Sequence, residues 1–450
     1  MIGQGVADGN QLKLSIERMA YGPEGIAHTN DGKTVFVTGG IPGDVVLAKV
    51  VSDGPSFSRA TVTEIVEASE HRVTADCPFA EVCGGCPWAS FSREAQLATK
   101  RDNVVSSLVR IGHFDNKAAD ELVAPCEDPG DAWGYRNKVE LAFARINGRA
   151  TVGMHDRGGS GVVRVDKCPL LDKRNSKLVK AVSGALSYLS GSQELGLERI
   201  GIRASRRTRD VEVALWTKTG PFPRAQVAKV LGDATKASSV VRVLTKGPSK
   251  ARRVSGVERL SGKGYWEERI AEGTMALSAP SFFQVNTAGA ERLVQLVLDG
   301  LSLTEDDEVM DLYCGAGTFT VPLAKRAGFV SAVEAYGPAV KDLRRNLERT
   351  GLGNVDAVGG DAGREFPDTD ADAIVVDPPR AGLAENVIRQ LCEQPARAIA
   401  YVSCDPATLA RDLASFREHG VFEPVSITPV DLFPQTFHVE TVTLLSRRGK

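Results

Sequence analysis

Two groups of cysteines stand where a thiol could do chemistry. In "AYVSCDPATLARD" (Ala400–Asp412), Cys404 ends an apolar, strand-like run just before a Pro turn. Core cysteines usually sit inside a strand, so a thiol on the loop leaving one is a candidate nucleophile. A thiolate that adds to one carbon of a conjugated ring turns the neighbouring carbon into an enolate-like nucleophile. A separate base must then remove that neighbour's proton so that the thiol can leave. "DLFPQTFHVETVTLL" (Asp431–Leu445) offers Glu440, where a loop enters an apolar strand close to His438. Composition alone favours plainer roles: a small buried hydrophobe for the cysteine, an exposed charge for the glutamate.

The second group is "CPFAEVCGGCPW", in which Cys77, Cys83 and Cys86 follow C-x5-C-x2-C spacing, with Cys168 of "VDKCPLL" as a fourth thiol. Four thiolates can hold a zinc ion or an iron–sulfur cluster. The spacing is not two paired C-x2-C knuckles, and Gly84-Gly85 leave backbone N–H groups free to approach inorganic sulfide; both points favour the cluster. The radical S-adenosylmethionine (SAM) loop, C-x3-C-x2-C, is absent. Cys314 lies inside a glycine loop, where its small size suits packing better than attack, and Cys126 and Cys392 have no supporting motif.

"VMDLYCGAGTFTVPLA" (Val309–Ala324) reads as strand, Gly-rich turn and helix. Glycines let a backbone turn sharply and come close to a ligand. Glu334 of "VSAVEAYGPAV" stands at the tip of the next strand, where a carboxylate can bind both hydroxyls of a ribose, and "IVVDPPRAG" adds Asp377. The nicotinamide fingerprint GxGxxG is missing, because Thr318, Phe319 and Thr320 follow Gly317. The three motifs in this order resemble a class I SAM methyltransferase.

The elements that must position these residues fall into three parts, with expected boundaries at 1–70, 71–272 and 273–450. Short alternating strands between Gln11 and Val73, separated by "YGPEG", "NDGK" and "IPGD", predict a small β-barrel. "SREAQLATKRDNVVSSLVRIG" (Ser92–Gly112) has helical spacing and is a candidate to pack on the C-terminal part. The middle is a mixed α+β pattern, with a hairpin at Asn147-Gly148 and a helix in "SKLVKAVSGALSYL". From Gly273 onward apolar strands alternate with helical stretches, which predicts a doubly wound, Rossmann-like α/β sheet. Cys404 then lies at the sheet's C-terminal edge, where ligands of such sheets bind. The 450 residues carry 55 Lys+Arg against 57 Asp+Glu, a net charge of −2, so an RNA partner would have to be met by local patches. No apolar run is long enough to span a bilayer, and "MIGQGVADGN" is not a secretory signal. A cytoplasmic protein is expected.

"SAPSFFQVNT" (Ser278–Thr287), "DPPRAG", "YVSCDPATLARDL" and "LFPQTFHVE", in that order, resemble the RNA uracil-5-methyltransferase family over most of Gly273–Lys450. The resemblance implies Cys404 as nucleophile, Glu440 as base, and Gln284, Tyr313, Glu334 and Asp377 as SAM-binding residues. It implies Asp361 and Thr318 as further cofactor contacts, and Arg380 as a holder of the uracil or its backbone. Ribosomal-RNA members carry a 4Fe-4S cluster on such cysteines, which implies that cluster on Cys77, Cys83, Cys86 and Cys168; "PWAS" replaces the Gln that often follows the third cysteine. "LSIERMAYGPEGIAH" and "FVTGGIPGDVV" are similar to a TRAM domain, an oligonucleotide-binding type of barrel. Residues 1–70 hold nine acidic and five basic residues, an awkward balance for phosphate binding. Contacts are therefore expected from Arg18, Lys33 and Arg59 with stacking by Tyr21 or Phe36. The basic stretches "RIGIRASRRTRD" (Arg199–Asp210) and "KGPSKARR" (Lys246–Arg253) are either an RNA grip or ordinary solvated hairpins.

Taken together, these readings predict a monomeric SAM-dependent enzyme making 5-methyluridine, with no membrane or protein partner and with the target base drawn out of its stack. A barrel plus cluster cysteines resembles the branch acting on 23S ribosomal RNA more than the transfer-RNA branch. Methylation at cytosine C5 would call for Pro-Cys after an Asp-Pro motif, whereas Arg380 follows "DPP" here. A non-catalytic TRAM-type RNA-binding protein is opposed by the intact set Gln284, Glu334, Asp377, Cys404 and Glu440.

Overall fold

The computed structural model describes residues 11–247, 253–270 and 273–449. Six strands, β1 (Gln11–Ser15), β2 (Arg18–Met19), β3 (Glu24–His28), β4 (Thr34–Thr38), β5 (Val45–Asp53) and β6 (Phe57–Glu67), form one sheet in the order β1-β5-β6-β4-β3-β2. Alternation sorts its faces: Val35 and Val37 of β4 enter a core with Leu14, Ile16, Ala27, Val46, Ala48 and Ala60, while Phe36 points outward under the Arg59 guanidinium, 5.3 Å from its ring centre.

The cysteine loop follows, then α1 (Arg93–Arg110), whose Ser92 cap accepts the Ala95 N–H, and α2 (Asn116–Leu122). Val104 and Leu108 of α1 belong to the core of the C-terminal sheet. The fully buried Lys100 reaches across to the Asp431 carboxylate and to the Phe433 carbonyl (3.1 Å).

A seven-stranded sheet makes the middle part: β7 (Lys138–Ile146), β8 (Arg149–His155), β9 (Val162–Val163), β10 (Leu197–Ala204), β11 (Val211–Lys218), β12 (Ser239–Lys246) and β13 (Arg253–Gly262), in the order β13-β12-β11-β10-β7-β8-β9. Helices α3 (Leu178–Ser192) and α4 (Arg224–Thr235) interrupt its chain order. The β7–β8 turn places Asn147 at φ 50° and Gly148 at φ 77°, the left-handed pair a tight hairpin needs.

A hairpin of β14 (Trp266–Ile270) and β15 (Gly273–Leu277) leads to α5 (Thr287–Leu301), capped by Asn286. The last sheet then alternates β16 (Glu308–Leu312), α6 (Thr320–Ala324), β17 (Phe329–Glu334), α7 (Gly337–Thr350), β18 (Val355–Gly359), β19 (Ala373–Val376), α8 (Glu385–Glu393), β20 (Ala398–Ser403) and α9 (Pro406–His419), and ends in β21 (Phe422–Val430) and β22 (Glu440–Arg447). Its order is β18-β17-β16-β19-β20-β22-β21, parallel from β18 to β20, with β22 antiparallel to both of its neighbours. The strand order reverses between β16 and β19, which places a ligand crevice at their C-terminal ends.

Candidate active site

Four adjacent strand tips converge on this crevice. β16 delivers Tyr313, β17 ends on Glu334, β19 delivers Asp377 and β20 delivers Cys404. Tyr313 has φ 64°, Gly315 φ 58° and Gly317 φ 96°. A non-glycine residue held in this left-handed region marks a turn whose shape matters to function. A Cβ on Gly317 would stand 2.7 Å from Leu343, so the loop must keep its glycine there.

Glu334 binds this loop. Its carboxylate accepts the Gly315 N–H (2.9 Å) and the Tyr336 N–H (2.6 Å), and each oxygen retains a lone pair for a ligand hydroxyl. Gln284 is buried and its Oε1 has no hydrogen-bond partner; the same holds for Oδ1 of Asp311. An orphaned buried acceptor is costly unless a ligand donor meets it. Asn137 of the middle part holds the Gln284 loop by donating to the Gln284 carbonyl (2.9 Å) and to Thr287 (3.1 Å). Asp361 is exposed and close enough to Tyr313 for its charge, after burial, to help raise that phenol to about 12. Thr318 is half-buried on the glycine loop, whereas Cys314 packs in the core with Val321, Ala332, Leu343 and Leu347 and is no rival nucleophile.

Cys404 sits half-buried in a strand-to-helix turn. The Asp405 side chain caps α9 by accepting the Ala407 (2.9 Å) and Thr408 (3.2 Å) N–H groups, and Pro406 opens the helix. β22 pairs with β20 so that Thr441 lies opposite Ser403, which brings Glu440 and Cys404 next in register at the sheet edge. Burial pushes the Cys404 thiol up to about 12, with Glu440 and Asp377 adding to the rise and Arg380 opposing it. The buried Glu440 carboxyl is raised well above its ordinary range by desolvation and by Asp377, again against Arg380. Asp377 itself rises to about 7 through desolvation, then through Asp311 and Glu334. The pocket is thus rich in groups that would be anionic and offers one nearby guanidinium, Arg380, to offset them. His438, 3.5 Å from Arg380, is held neutral: burial and then the charges of Arg380, Lys100 and Arg136 lower it to about 4.

Sequence reasoning does not see the partners these side chains take. Tyr21, an expected RNA-stacking residue, donates its hydroxyl to the Cys404 carbonyl (3.2 Å) and sets its ring edge-on to Phe437 (5.6 Å). The partners lie 383 positions apart in sequence, so no local signal could have found it. Lys33 and Arg59, expected on RNA, are ion-paired with Asp53 and Glu24. Within Arg199–Asp210, Arg203 is buried on the Ser278 and Ser281 carbonyls and Arg207 grips Glu291 with both arms (2.5 and 2.7 Å). Most of Lys246–Arg253 lies outside the described residues.

Cys77, Cys83, Cys86 and Cys168 line one small, almost wholly apolar pocket together with Phe79, Met154 and Leu170. Burial raises the Cys86 thiol to about 12 and lifts Cys83 and Cys168; each is raised further by others of the four, and Arg136 offsets Cys86 and Cys168. Among the described residues, no three metal-ligating side chains converge on a single ion. Neither of the two glycine N–H groups expected to be free is without a partner. Gly85 donates to Cys83 Sγ (3.4 Å), the Gly84 N–H is taken by the His155 carbonyl, and a Cβ on Gly84 would meet the Asp156 carbonyl at 2.5 Å.

Residues 274–448 match the family model described as tRNA (Uracil-5-)-methyltransferase, and residues 7–63 match the TRAM domain. A protein of Thermosynechococcus vestitus, described as an uncharacterized RNA methyltransferase, is 33% identical over 97% of this chain and 98% of its own. A similarly described protein of Gloeobacter violaceus is 33% identical over 99% and 100%. The solved structure of the Pyrococcus abyssi tRNA (uracil-54, C5)-methyltransferase with S-adenosyl-L-homocysteine superimposes with a TM-score of 0.75 at 24% identity, covering 96% of this chain and 99% of that one. The fold is therefore shared along nearly the whole length. No helix among the described residues is long and apolar enough to cross a membrane.

Proposed function

The chain belongs to the RNA uracil-5-methyltransferase family, with a TRAM domain ahead of its SAM-methyltransferase fold, and we propose that it methylates C5 of a uridine in 23S ribosomal RNA through a covalent bond to Cys404. The observation that carries this reading is the placing of Cys404 and Glu440 side by side at the C-terminal edge of the sheet, next to the glycine loop. When bound in the crevice, SAM supplies an electrophilic methyl group on a positively charged sulfur. Glu334 would hold its ribose hydroxyls, and the unpartnered Gln284 Oε1 and the Asp377 carboxylate are suited to its polar atoms.

The protein's own groups divide the work on the uracil. Cys404 would lose its thiol proton to solvent as Sγ forms a bond to C6; the C5–C6 π electrons move to C5, which takes the methyl group while the electron pair of the broken S–CH3 bond stays on the donor sulfur. Glu440, as the carboxylate, then removes the C5 proton; the C–H electron pair restores the C5–C6 double bond as the S–C6 bond breaks and the sulfur recovers its electrons. Arg380 opposes the rise of both the thiol and the carboxyl, so positive charge in this crevice favours their ionised forms. Arg380 and the neutral His438 are in reach of each other and form a polar wall for the base or its phosphate.

The four-thiol pocket supports the cluster reading. Four cysteines around one shared apolar cavity would present four thiolates to such a group. Cys77, Cys83, Cys86 and Cys168 would be its ligands.

Transfer RNA is the second reading. The Pyrococcus protein, described as acting on tRNA, spans almost this entire architecture, so barrel plus catalytic sheet does not by itself separate the two substrates. Mapping 5-methyluridine in ribosomal and transfer RNA from cells with and without this protein separates them. Loss of a ribosomal site is expected; loss confined to transfer RNA reassigns the substrate, and loss nowhere refutes the activity.

A further inference from the structure

The turn between β2 and β3 is held from several sides. Ala20 N–H donates to the Glu24 carbonyl (2.9 Å), and Gly22 N–H to the Ala20 carbonyl (2.7 Å). Beside it, Met19 is buried with Ile41, Trp88, Phe91 and Ala95, against Phe437. Trp88 N–H in turn donates to the Gln435 carbonyl (3.1 Å). The barrel corner, the cysteine loop, α1 and the segment leading to Glu440 therefore lock at one junction, and Tyr21 projects from it to the Cys404 carbonyl (3.2 Å).

That carbonyl stands just before the first turn of α9. The N–H four residues on, of Thr408, is taken by the Asp405 carboxylate (3.2 Å), so the helix does not supply Cys404 with its donor. The phenol of Tyr21 does. We infer that Tyr21 is a positioning residue for the nucleophile, so that the N-terminal barrel is a working part of the methyl-transfer site and not only a handle for RNA. The inference rests on the covalent reading of Cys404 given above. Fixing the carbonyl fixes the Cα–Cβ direction, and hence the line along which Sγ meets C6; small misplacements of reacting atoms are costly in rate. Burial, and then the neighbouring Asp405, Cys404 and Glu440, push the phenol's ionisation far upward. It therefore stays a donor throughout the working pH range, including when the thiol beside it becomes an anion.

Tyr21→Phe in the full chain separates this role from packing, because the ring and its edge contact with Phe437 remain and only the O–H is lost. The probes are transcripts of 23S ribosomal RNA and of transfer RNA made with 5-fluorouridine, whose C5 fluorine cannot be removed as a proton and so holds the Cys404–C6 bond. Measured with saturating SAM, the rate of adduct formation and the kcat on unmodified RNA are expected to fall about five- to tenfold, the effect of one neutral hydrogen bond. KM for RNA, calorimetric SAM affinity and the thermal midpoint are expected to stay close to wild type. Tyr21→Leu, which also removes the ring, is expected to lower the adduct rate at least as far. An adduct rate within twofold of wild type in Tyr21→Phe overturns the proposal, and so does a raised KM for RNA with kcat unchanged, which would make Tyr21 an RNA contact. If the wild-type protein forms no adduct with either transcript, the covalent reading falls and this inference with it. A wild-type adduct with an unaffected variant removes the Tyr21 role alone.

Discussion

At the scale of single residues, the proposed nucleophile and base share a site in which burial raises both the Cys404 thiol and the Glu440 carboxyl. The Cys404 thiol, raised to about 12, is the nucleophile of the proposed reaction. Cys404→Ala is therefore expected to abolish methyl transfer, by at least about a thousandfold, while calorimetric SAM affinity stays within twofold. Retained turnover would refute the nucleophile. Glu440→Gln keeps shape and burial but cannot take the C5 proton, so the methylated uracil should remain bound to the protein as a complex stable in a denaturing gel. Free product from that variant would point to another base. Much of this site is legible in sequence because its residues sit at motif-bearing strand ends: Glu334, Asp377 and Cys404 each follow an apolar run. What the sequence does not carry is partnership. Arg203 and Arg207 lie in a stretch that reads equally as an RNA grip or a solvated hairpin, yet they are engaged by internal carbonyls and by Glu291, because long-range pairing decides how such charges are used.

At the scale of elements, the parallel strands are readable because they are covered on both faces. "AIVV" of β19 is wholly buried, the signature of a strand between two helical layers. The middle sheet is harder to read: β7 pairs with β10 across the intervening β8, β9 and α3, and alternation within a strand does not say which partner it takes. One strand carries a pH-dependent consequence. Asp311 of β16 is fully buried, its only bonded oxygen accepting from Thr320 (2.6 Å), and burial lifts it to about 7. The folded form thus holds a proton that the unfolded chain releases near pH 4, so its stabilising contribution is full below that pH and is lost as pH rises to about 7. Urea unfolding of the ligand-free protein should show lower stability at pH 8 than at pH 5. Asp311→Asn, which still accepts from Thr320, should remove about 2–4 kcal/mol of that difference. An unchanged pH dependence in the variant would mean that Asp311 does not titrate there.

At the scale of the whole molecule, the three parts meet where the chemistry is placed. Lys100 of α1 lies buried on Asp431, Trp88 of the cysteine loop bonds Gln435, and Tyr135, which opens the middle part, donates to the Pro434 carbonyl (3.1 Å). All three hold the segment that ends in Glu440. The cysteine pocket adjoins this junction through Cys86, two residues before Trp88, and the Arg136 charge acts on both Cys86 and His438. Its occupant therefore bears on how that segment is held, more than on the cofactor crevice. Cys168→Ala is the cleanest probe, since it removes one proposed ligand of the cluster without touching the loop that contains Trp88. Protein purified without oxygen should lose most of its iron and sulfide, and its thermal midpoint should fall by about 5 °C or more. RNA affinity and adduct rate should drop, while SAM affinity stays within twofold, because Gln284, Glu334 and Asp377 are carried by other elements. Elemental analysis of the wild-type protein decides the group itself. Zinc, or no metal, in protein produced with ample iron would refute the cluster. An equal loss of SAM affinity in Cys168→Ala would show instead that the pocket supports the whole catalytic sheet.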